Sequence, residues 1–350
     1  MHDFIRASVR SLRPYIPGDQ PTGDVIKLNT NESPYPPSPR VGEALAAVAA
    51  GGLNLYPDGE CRALRQALGR LHGFAENEVF VGNGSAEVLH LAIRAFTQPG
   101  QSVGYFNPSY TLYAALAESE ELRPAPLDLD ADFDWHIPST FAPGLFILAN
   151  PNSPTGRLAD PERVRAFCQA FPGVVLVDEA YVEFSARHCL HLAHELPNVV
   201  VSRTLSKAYS LANARVGCAL GPAPLIEALF RIKDSYNVSG LDQTAGLAAV
   251  RDQAYLASVV GRVRATRERV AAALRERGFA VVPSESNFIF VSPPRLPAET
   301  VFAALKRRSI FVRYFPAPAT RHHLRITIGT DAQMDRVLAA LDEILAGAPA

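Results

Sequence analysis

The chain of 350 residues contains few lysines and no excess of charge of either sign. Its 34 basic and 35 acidic residues give a formal net charge of −1, so general attraction to polyanions is excluded and nucleic acid is not an expected partner. Most of the basic residues are arginine, which does not readily lose its proton. Any chemistry that needs an amine must therefore use one of only four lysines: Lys27, Lys207, Lys233 and Lys306.

Cysteine and long apolar segments are also scarce. The four cysteines, at positions 61, 168, 189 and 218, include no CxxC pair, and we interpret them as buried cytosolic thiols. No segment approaches the roughly 20 consecutive apolar residues of a membrane helix. Residues 1–18 lack the apolar core of a secretory signal. We therefore expect a soluble, globular, cytoplasmic protein.

Short apolar runs alternate with segments of helical period over about residues 30–245. Nearly continuous apolar runs of this kind are typical of parallel strands that are covered by helices on both faces. The pattern predicts a large, doubly wound, mostly parallel α/β domain. The runs that we predict as strands are Glu78–Val81, Ser102–Tyr105, Leu145–Ala149, Val174–Val177 and Val199–Val201.

The rest of the chain has a different pattern. A long helix over Ala254–Arg277 is followed by three strand candidates, Phe288–Val291, Phe311–Arg313 and Leu324–Ile328, and then by a last amphipathic helix. This order predicts a smaller α+β domain over residues 246–350. Residues 1–29 are short and rich in proline, and we expect them to pack as an N-terminal arm.

Polar residues directly follow the predicted strands. Ligands of parallel α/β sheets bind beyond the carboxyl ends of the strands, so these residues are the candidates for a site. No GxGxxG with a downstream acid follows the first strand, so a dinucleotide site is not predicted. The strand-end segments are Gly84–Ser85, Asn107–Tyr110, Asn150–Asn152, Asp178–Tyr181 and Ser202–Lys207.

The strand-end residues match the chemical needs of pyridoxal 5′-phosphate (PLP). The aldehyde of PLP needs a lysine amine, and its ring nitrogen needs a carboxylate that keeps it protonated. Its phosphate needs backbone N–H groups at the start of a helix, hydroxyls and an arginine. An aromatic side chain must cover one face of the ring. The strand ends contain a candidate for each of these groups.

The chain resembles the fold-type I PLP-dependent enzymes, and within them the histidinol-phosphate aminotransferase family. The resemblance extends over most of the chain, because its motifs follow one another in the family order. Lys207 lies eight residues before Arg215 in one of these motifs. The motifs are RPYIPG (13–18), KLNTNESPYPPSP (27–39), NLYPDG (54–59), GNGSAEV (82–88), NPSYTLY (107–113), NPNSPTG (150–156), VDEAY (177–181), SRTLSKAYSLANARVG (202–217), KDSYNV (233–238), ESNF (285–288), VRYF (312–315) and LRITIGT (324–330).

The resemblance implies a role for each residue of the cofactor site. Lys207 would bond covalently to the cofactor aldehyde and later move a proton, while Asp178 would pair with the ring nitrogen. Tyr181 and Asn150 would hydrogen-bond the phenolic oxygen of the ring, and Tyr110 would stack on the ring. The phosphate would be held by Ser85, Ala86, Thr204, Ser206 and Arg215.

The resemblance also implies a homodimer with shared active sites. In this arrangement Tyr56 would reach the phosphate of the cofactor in the neighbouring subunit. Arg325, helped by Arg313, would bind the phosphate of the substrate or the carboxylate of glutamate. The rest of the substrate pocket would be lined by Tyr15, Tyr236 and Asn237.

The implied reaction belongs to histidine biosynthesis. L-Histidinol phosphate and 2-oxoglutarate would give imidazole-acetol phosphate and L-glutamate, with ping-pong kinetics through pyridoxamine phosphate. Two alternatives stay open on the same scaffold: an aromatic amino acid aminotransferase and a threonine-phosphate decarboxylase. A non-catalytic PLP-binding regulator is disfavoured, because the lysine and the aspartate are intact.

Some residues depart from the family pattern or fall outside it. Asn213 and Ala214 stand where glycine and leucine are usual, and Ser235 stands where proline is common. Because Asn tolerates the left-handed backbone conformation of glycine, we expect the phosphate-binding turn to be kept. No metal site is predicted at the neighbouring histidines, which lack an acidic partner nearby. These are His188, His191 and His194.

Overall fold

The computed structural model describes residues 4–6, 9–10, 12, 18–137 and 141–347. Its principal helices span Pro39–Ala49, Arg62–His72, Gly84–Phe96, Leu112–Ser119, Pro161–Ala170, Ala223–Ile232, Gly240–Val250, Gln253–Glu276, Ala298–Arg307 and Asp331–Ala346. Shorter helical turns span Glu76–Glu78, Val182–Phe184 and Leu192–Glu195. Among the helices of this described part, none combines the length and apolarity that a membrane span requires.

Seven strands form the large sheet, in the spatial order β2-β8-β7-β6-β5-β3-β4. Their bounds are β2 Val79–Asn83, β3 Ser102–Asn107, β4 Arg123–Asp128, β5 Leu145–Ala149, β6 Val174–Asp178, β7 Val199–Thr204 and β8 Val216–Leu220. Strands β7, β6, β5, β3 and β4 pair in parallel, whereas β8 is antiparallel to both of its neighbours. The prediction of a mostly parallel sheet is confirmed.

Helices cover both faces of this sheet because its strands send alternate apolar residues to opposite sides. Phe146 and Leu148 of β5 join a cluster with the helices 62–72, 161–170 and 240–250. Leu145 and Ile147 of the same strand join a second cluster with the helices 84–96, 112–119 and 223–232. Burial on both faces explains why the strands are apolar without alternation, as doubly wound sheets require.

The C-terminal part of the chain forms an antiparallel sheet in the order β12-β13-β10-β9, packed with the helices 253–276, 298–307 and 331–346. The remaining strands are β1 Ile26–Lys27, β9 Ala280–Val282, β10 Phe288–Ser292, β11 Ile310–Phe311, β12 Arg313–Tyr314 and β13 Leu324–Thr327. The single strand predicted over Phe311–Arg313 is wrong, because β11 pairs with β1 and β12 pairs with β13, with Val312 between them. The domain bounds at residues 29/30 and 245/246 remain predictions.

Candidate active site

One cavity opens where several strands of the large sheet end, and residues of the antiparallel sheet also line it. It receives side chains that follow β3, β5, β6 and β7, together with arginines of β12 and β13. The strand-end prediction therefore brings the candidate residues to one place. The predicted residues that line the cavity are Ser85, Ala86, Tyr110, Asp178, Tyr181, Thr204, Ser206, Lys207, Arg215, Arg313 and Arg325.

Asp178 is the last residue of β6 and is only 5% exposed. Its Oδ2 accepts a hydrogen bond of 2.7 Å from the hydroxyl of Tyr113, and its Oδ1 accepts one of 3.2 Å from the backbone N–H of Ala180. Burial raises the pKa of the Asp178 carboxyl to about 6, although both hydrogen bonds act against this rise. A cation placed beside the carboxylate would relieve this electrostatic penalty.

Lys207 lies in the turn after β7, and its Nζ donates a hydrogen bond of 3.1 Å to the backbone oxygen of Thr30. Burial lowers the pKa of the Lys207 amine to about 8, and the positive charge of Arg325 lowers it further. Arg215 acts in the same direction with a smaller effect, whereas Glu32 opposes it. A pKa of about 8 leaves about a tenth of the amine unprotonated at pH 7, far more than for an ordinary lysine, and the unprotonated form is the one that acts as a nucleophile or base.

Two tyrosines border the cavity near Lys207. The hydroxyl of Tyr181 accepts a hydrogen bond of 2.9 Å from Nδ2 of Asn31, and the ring centroid lies 5.9 Å from Nζ of Lys207. Tyr110 packs edge-on against the ring of Tyr113, with 5.6 Å between the centroids. The side chains thus supply a polar hydroxyl and an aromatic face in the same cavity.

The start of the helix 84–96 provides an anion site. Its N-cap residue, Asn83, makes no side-chain cap, so the first-turn N–H groups, including those of Ser85 and Ala86, lack that partner. A Cβ added at Gly84 would come within 2.5 Å of Nη2 of Arg215, so the missing side chain leaves room for the guanidinium. Nη1 of Arg215 in turn donates to Oγ of Ser206 at 3.3 Å.

The turn between Lys207 and β8 keeps its tight path in a different way from the one predicted. Ser210 and Arg215 adopt positive φ angles of 59° and 49°. Asn213 is not among the residues with positive φ, and its side chain is exposed. The expectation that Asn213 replaces glycine by a left-handed backbone is therefore wrong, because the residues of this turn with left-handed backbone are Ser210 and Arg215.

Arg313 and Arg325 form a second cationic group. They are cross-strand partners in the β12–β13 pair, which places both side chains on the same face of the antiparallel sheet. Nη2 of Arg325 donates to the backbone oxygen of Asn29 at 2.8 Å. The ring of Phe315 lies 5.4 Å from the Arg325 guanidinium and 5.3 Å from that of Arg313. The sequence spacing of the two arginines did not reveal this pairing.

These donor groups fit PLP. A lysine with a lowered pKa, a buried carboxylate, an aromatic ring and an anion site with room at Gly84 line one cavity. No group in this set is redundant for the cofactor, since the aldehyde, the ring nitrogen, the ring face and the phosphate each need one.

Residues 23–341 match the family model of class I and II aminotransferases. The histidinol-phosphate aminotransferase of Syntrophotalea carbinolica is 42% identical over 345 residues, which cover 97% of this chain and 99% of the relative. That of a Synechocystis species is 42% identical over 341 residues, which cover 96% and 97%. The chain belongs to the histidinol-phosphate aminotransferase family of class I and II aminotransferases.

A solved structure supports the same assignment. The histidinol-phosphate aminotransferase of Sinorhizobium meliloti, in complex with pyridoxal 5′-phosphate, superposes with a TM-score of 0.87 and 28% sequence identity. The match covers 99% of this chain and 98% of that structure. The predicted fold class, a fold-type I transferase, and the predicted cofactor, PLP, are confirmed.

Asn150 does not line the aminotransferase cavity, in contrast to its predicted place beside Tyr181. Its Oδ1 accepts a hydrogen bond of 2.7 Å from the N–H of Ala159, and its Nδ2 lies 3.3 Å from Sγ of Cys189. Asn150 lines a different cavity. Ser153, three residues later in the same motif, lines the aminotransferase cavity and accepts a hydrogen bond of 3.2 Å from Nη1 of Arg325.

Four further predicted residues lie away from this cavity or outside the described residues. Tyr56 is 80% exposed and stacks on Tyr236, with 4.4 Å between the ring centroids. Nδ2 of Asn237 donates to the backbone oxygen of Val81 and to Oε2 of Glu87. Tyr15 lies outside the described residues. Tyr56 and Tyr236 thus form one exposed aromatic pair instead of a wall of this chain's own pocket.

Several lining residues had no role in the sequence analysis. The most consequential are Asn31, which holds Tyr181, and Tyr113, which holds Asp178. Asn31 lies in the KLNTNESPYPPSP motif, and Tyr113 lies three residues after Tyr110 in the NPSYTLY motif. Both signals were visible, but only the folded chain shows which polar group each residue contacts.

Proposed function

We propose that this aminotransferase transfers the amino group of L-histidinol phosphate to 2-oxoglutarate, giving imidazole-acetol phosphate and L-glutamate. The observation that carries the proposal is that one cavity contains two separate anion sites. The site at Arg215 and the helix start suits the cofactor phosphate. The site at Arg313 and Arg325 suits a second anion, and a guanidinium binds either a phosphate monoester or a carboxylate. One pocket can therefore take both substrates in turn.

The residues of the chain divide the chemical work. When bound, PLP supplies an electron sink for the substrate carbon that loses its proton. Lys207 has a pKa of about 8, so its Nζ can accept that proton and return it. Asp178, buried below the cavity, holds a negative charge where the ring nitrogen would need it. Tyr110, which lines the same cavity, would cover the ring, and Arg325 would bind the anionic end of the substrate.

We also propose that Ser153, instead of Asn150, joins Tyr181 as a partner of the phenolic oxygen of the cofactor. Tyr181 and Ser153 line the cavity together, and hydrogen bonding to Asn31 and Ser153 lowers the pKa of Tyr181, against the larger effect of burial, which raises it. Asn150, whose polar atoms contact Ala159 and Cys189, would then support the loop instead of the cofactor.

A homodimer is part of this proposal. Exposed apolar side chains cluster in sequence around Tyr56, with Leu53 62% and Leu55 73% exposed. Large exposed apolar groups of this kind are typical of an interface. In a dimer, Tyr56 and Tyr236 would serve the site of the partner, which fits their position outside this chain's own cavity, whereas Asn237 is bound to Val81 and Glu87 of its own chain.

The test is a profile of amino donors with the purified, PLP-loaded enzyme. We expect kcat/KM with L-histidinol phosphate to exceed that with phenylalanine, tyrosine or aspartate by at least roughly tenfold, since a phosphate monoester carries more negative charge than the carboxylate of these donors and offers more oxygens to the two guanidinium groups of the second anion site. Lys207→Ala is the matched control and should lose both the transfer and the visible absorbance of the bound cofactor. Preference for an aromatic amino acid, or release of carbon dioxide from threonine phosphate without an oxo acid, would overturn the assignment.

A further inference from the structure

Tyr113 is a fully buried side chain at the floor of the active site. It lies in the first turn of the helix 112–119, and its exposed fraction is 0%. Its ring is held edge-on between those of Tyr110 and Tyr105, at centroid distances of 5.6 and 6.0 Å. With the ring held in this way, the hydroxyl donates a hydrogen bond of 2.7 Å to Oδ2 of Asp178.

The hydroxyl of Tyr113 is the only side-chain donor that the described residues present to Asp178. The other carboxylate oxygen accepts only the backbone N–H of Ala180, in a longer bond of 3.2 Å. The like charge of the neighbouring Glu179, whose carboxylate is paired with Arg203, raises the pKa of Asp178, while the hydrogen bond from Tyr113 lowers it. Burial raises the pKa of the Tyr113 phenol well above its ordinary value, so it stays protonated and remains a donor.

We propose that Tyr113 is a positioning residue that sets both the orientation and the basicity of Asp178 toward the ring nitrogen of the cofactor. This inference rests on the proposed role of Asp178 in the aminotransferase reaction. A donor fixed on one carboxylate oxygen prevents rotation of the group and withdraws electron density from it. Without that donor, Asp178 is a stronger base, and the proton shared with the ring nitrogen shifts toward the carboxylate.

A purely structural role predicts a different outcome. A buried hydroxyl needs some acceptor, and any acceptor would satisfy it without consequence for the cofactor. Tyr105 provides the comparison, because it is a half-buried tyrosine in contact with Tyr113 whose hydroxyl does not bond Asp178. Removing the hydroxyl of Tyr105 changes the same aromatic cluster and leaves the carboxylate as it is.

The experiment compares Tyr113→Phe with Tyr105→Phe as PLP-loaded enzymes. The visible absorbance of the bound cofactor is titrated with pH, and kcat and KM are measured separately. A less positive ring raises the pKa of the nitrogen that links Lys207 to the cofactor. We expect Tyr113→Phe to move the midpoint upward by roughly half to one pH unit and to lower kcat about tenfold with little change in KM, as loss of a hydrogen bond to a charged group predicts. Tyr105→Phe should leave the midpoint and kcat unchanged.

A second variant should shift the midpoint of the absorbance titration in the opposite direction. Site-specific 3-fluorotyrosine at position 113 keeps the hydroxyl and makes it a stronger donor, so the midpoint should move downward. The groups that face Lys207 itself, namely Arg325, Glu32, Arg215 and Lys27, are the same in all variants, so a difference reports on Asp178.

Two outcomes overturn the role of Tyr113 while leaving the proposed function intact. Both are measured in a wild-type enzyme that binds PLP and transfers the amine. In the first, Tyr113→Phe has the wild-type midpoint and kcat. In the second, Tyr113→Phe and Tyr105→Phe shift them equally. A wild-type protein without cofactor absorbance or transfer activity would instead overturn the proposed function.

Discussion

At the scale of single residues, the site contains two ionisable side chains whose charged forms are disfavoured by burial. Desolvation raises the pKa of Asp178 to about 6 and lowers that of Lys207 to about 8, so each pKa moves toward neutrality. Strongly shifted values of this kind mark functional sites, because a group poised near neutral pH can change its charge during a reaction. The protein without its cofactor therefore holds an unfavourable charge state that the cofactor can relieve.

Asp178→Asn should separate this electrostatic strain from function. The pKa of Asp178 rises from 3.8 to about 6 on folding, so the folded chain holds more protons than the unfolded chain between pH 4 and 6. The contribution of Asp178 to the free energy of unfolding of the cofactor-free protein therefore falls as the pH rises from 4 to 6. Above pH 6 the ionised Asp178 destabilises the folded protein by about 3 kcal/mol. Unfolding by urea at several pH values should show Asp178→Asn more stable than wild type at pH 7 and similar at pH 4.

The cofactor-bound protein is the internal control for this prediction. With the cofactor in place the carboxylate faces a cation, so the advantage of Asp178→Asn at pH 7 should disappear and activity should be lost. An advantage in the cofactor-free protein that is independent of pH would contradict the electrostatic explanation.

At the scale of elements, the phosphate site depends on a close approach between a helix start and a turn. Gly84 has a φ of +74°, and a side chain there would meet the guanidinium of Arg215 at 2.5 Å. Gly217 allows the same approach from the other side, because a Cβ would lie 2.2 Å from the backbone nitrogen of Ser85. The two glycines thus bring the helix N-terminus and Arg215 to one anion.

Gly84→Ala should weaken cofactor binding beyond its effect on folding. Gly73, with a φ of +80° and open space around it, is the matched control, because Ala there suffers the backbone strain without the contact. Both variants should lose about 1–2 kcal/mol of unfolding free energy, because alanine is strained at a positive φ. Only Gly84→Ala should also raise the dissociation constant for PLP, by roughly tenfold, as loss of a charge-assisted contact predicts. Equal affinities in the two variants would contradict the role of the contact.

How well each strand can be predicted from the sequence depends on how it is buried. Strand β5, Leu145–Ala149, is predicted to the residue, because a strand buried on both faces is a continuous apolar run. Strand β4, Arg123–Asp128, is not predicted by its sequence, because it is a half-exposed edge strand with two prolines, which an edge tolerates. Strand β8, Val216–Leu220, begins in the last two residues of the motif 202–217, and its antiparallel direction has no signal in composition.

The residues of the site also differ in how well the sequence predicts them. Residues at or just beyond the ends of buried strands, such as Asp178 and Lys207, reach the cavity because the strand ends define its position. Asn150 follows a strand equally closely, yet its side chain turns to Ala159 and Cys189. Tyr113 and Ser153 lie later in their motifs and were not selected. Side-chain direction depends on packing against neighbours that are distant in sequence, so it is not readable from the spacing.

At the scale of the whole molecule, the exposed pair of Tyr56 and Tyr236 is the feature that a single chain leaves unexplained. The pair is stacked with an interplanar angle of 11°, yet Tyr56 is 80% and Tyr236 49% exposed. Lys233, in the segment that precedes Tyr236, donates to the backbone oxygen of Gly59 and so fixes this surface. An ordered, exposed aromatic pair is expected where a second copy of the chain completes a symmetric dimer.

Hybrid dimers test whether the sites are shared. In a dimer of one Lys207→Ala subunit and one Tyr56→Phe subunit, one of the two sites contains both native residues if Tyr56 acts across the interface. Such a hybrid, made by co-expression with two affinity tags, should have roughly half of the wild-type activity, although each parent homodimer is impaired. The control hybrid pairs a wild-type subunit with a subunit that carries both substitutions. With shared sites this control has no intact site and should be weak. If Tyr56 instead serves its own subunit, the first hybrid should be weak and the control hybrid should have roughly half of the wild-type activity. A protein that elutes as a monomer would exclude shared sites altogether.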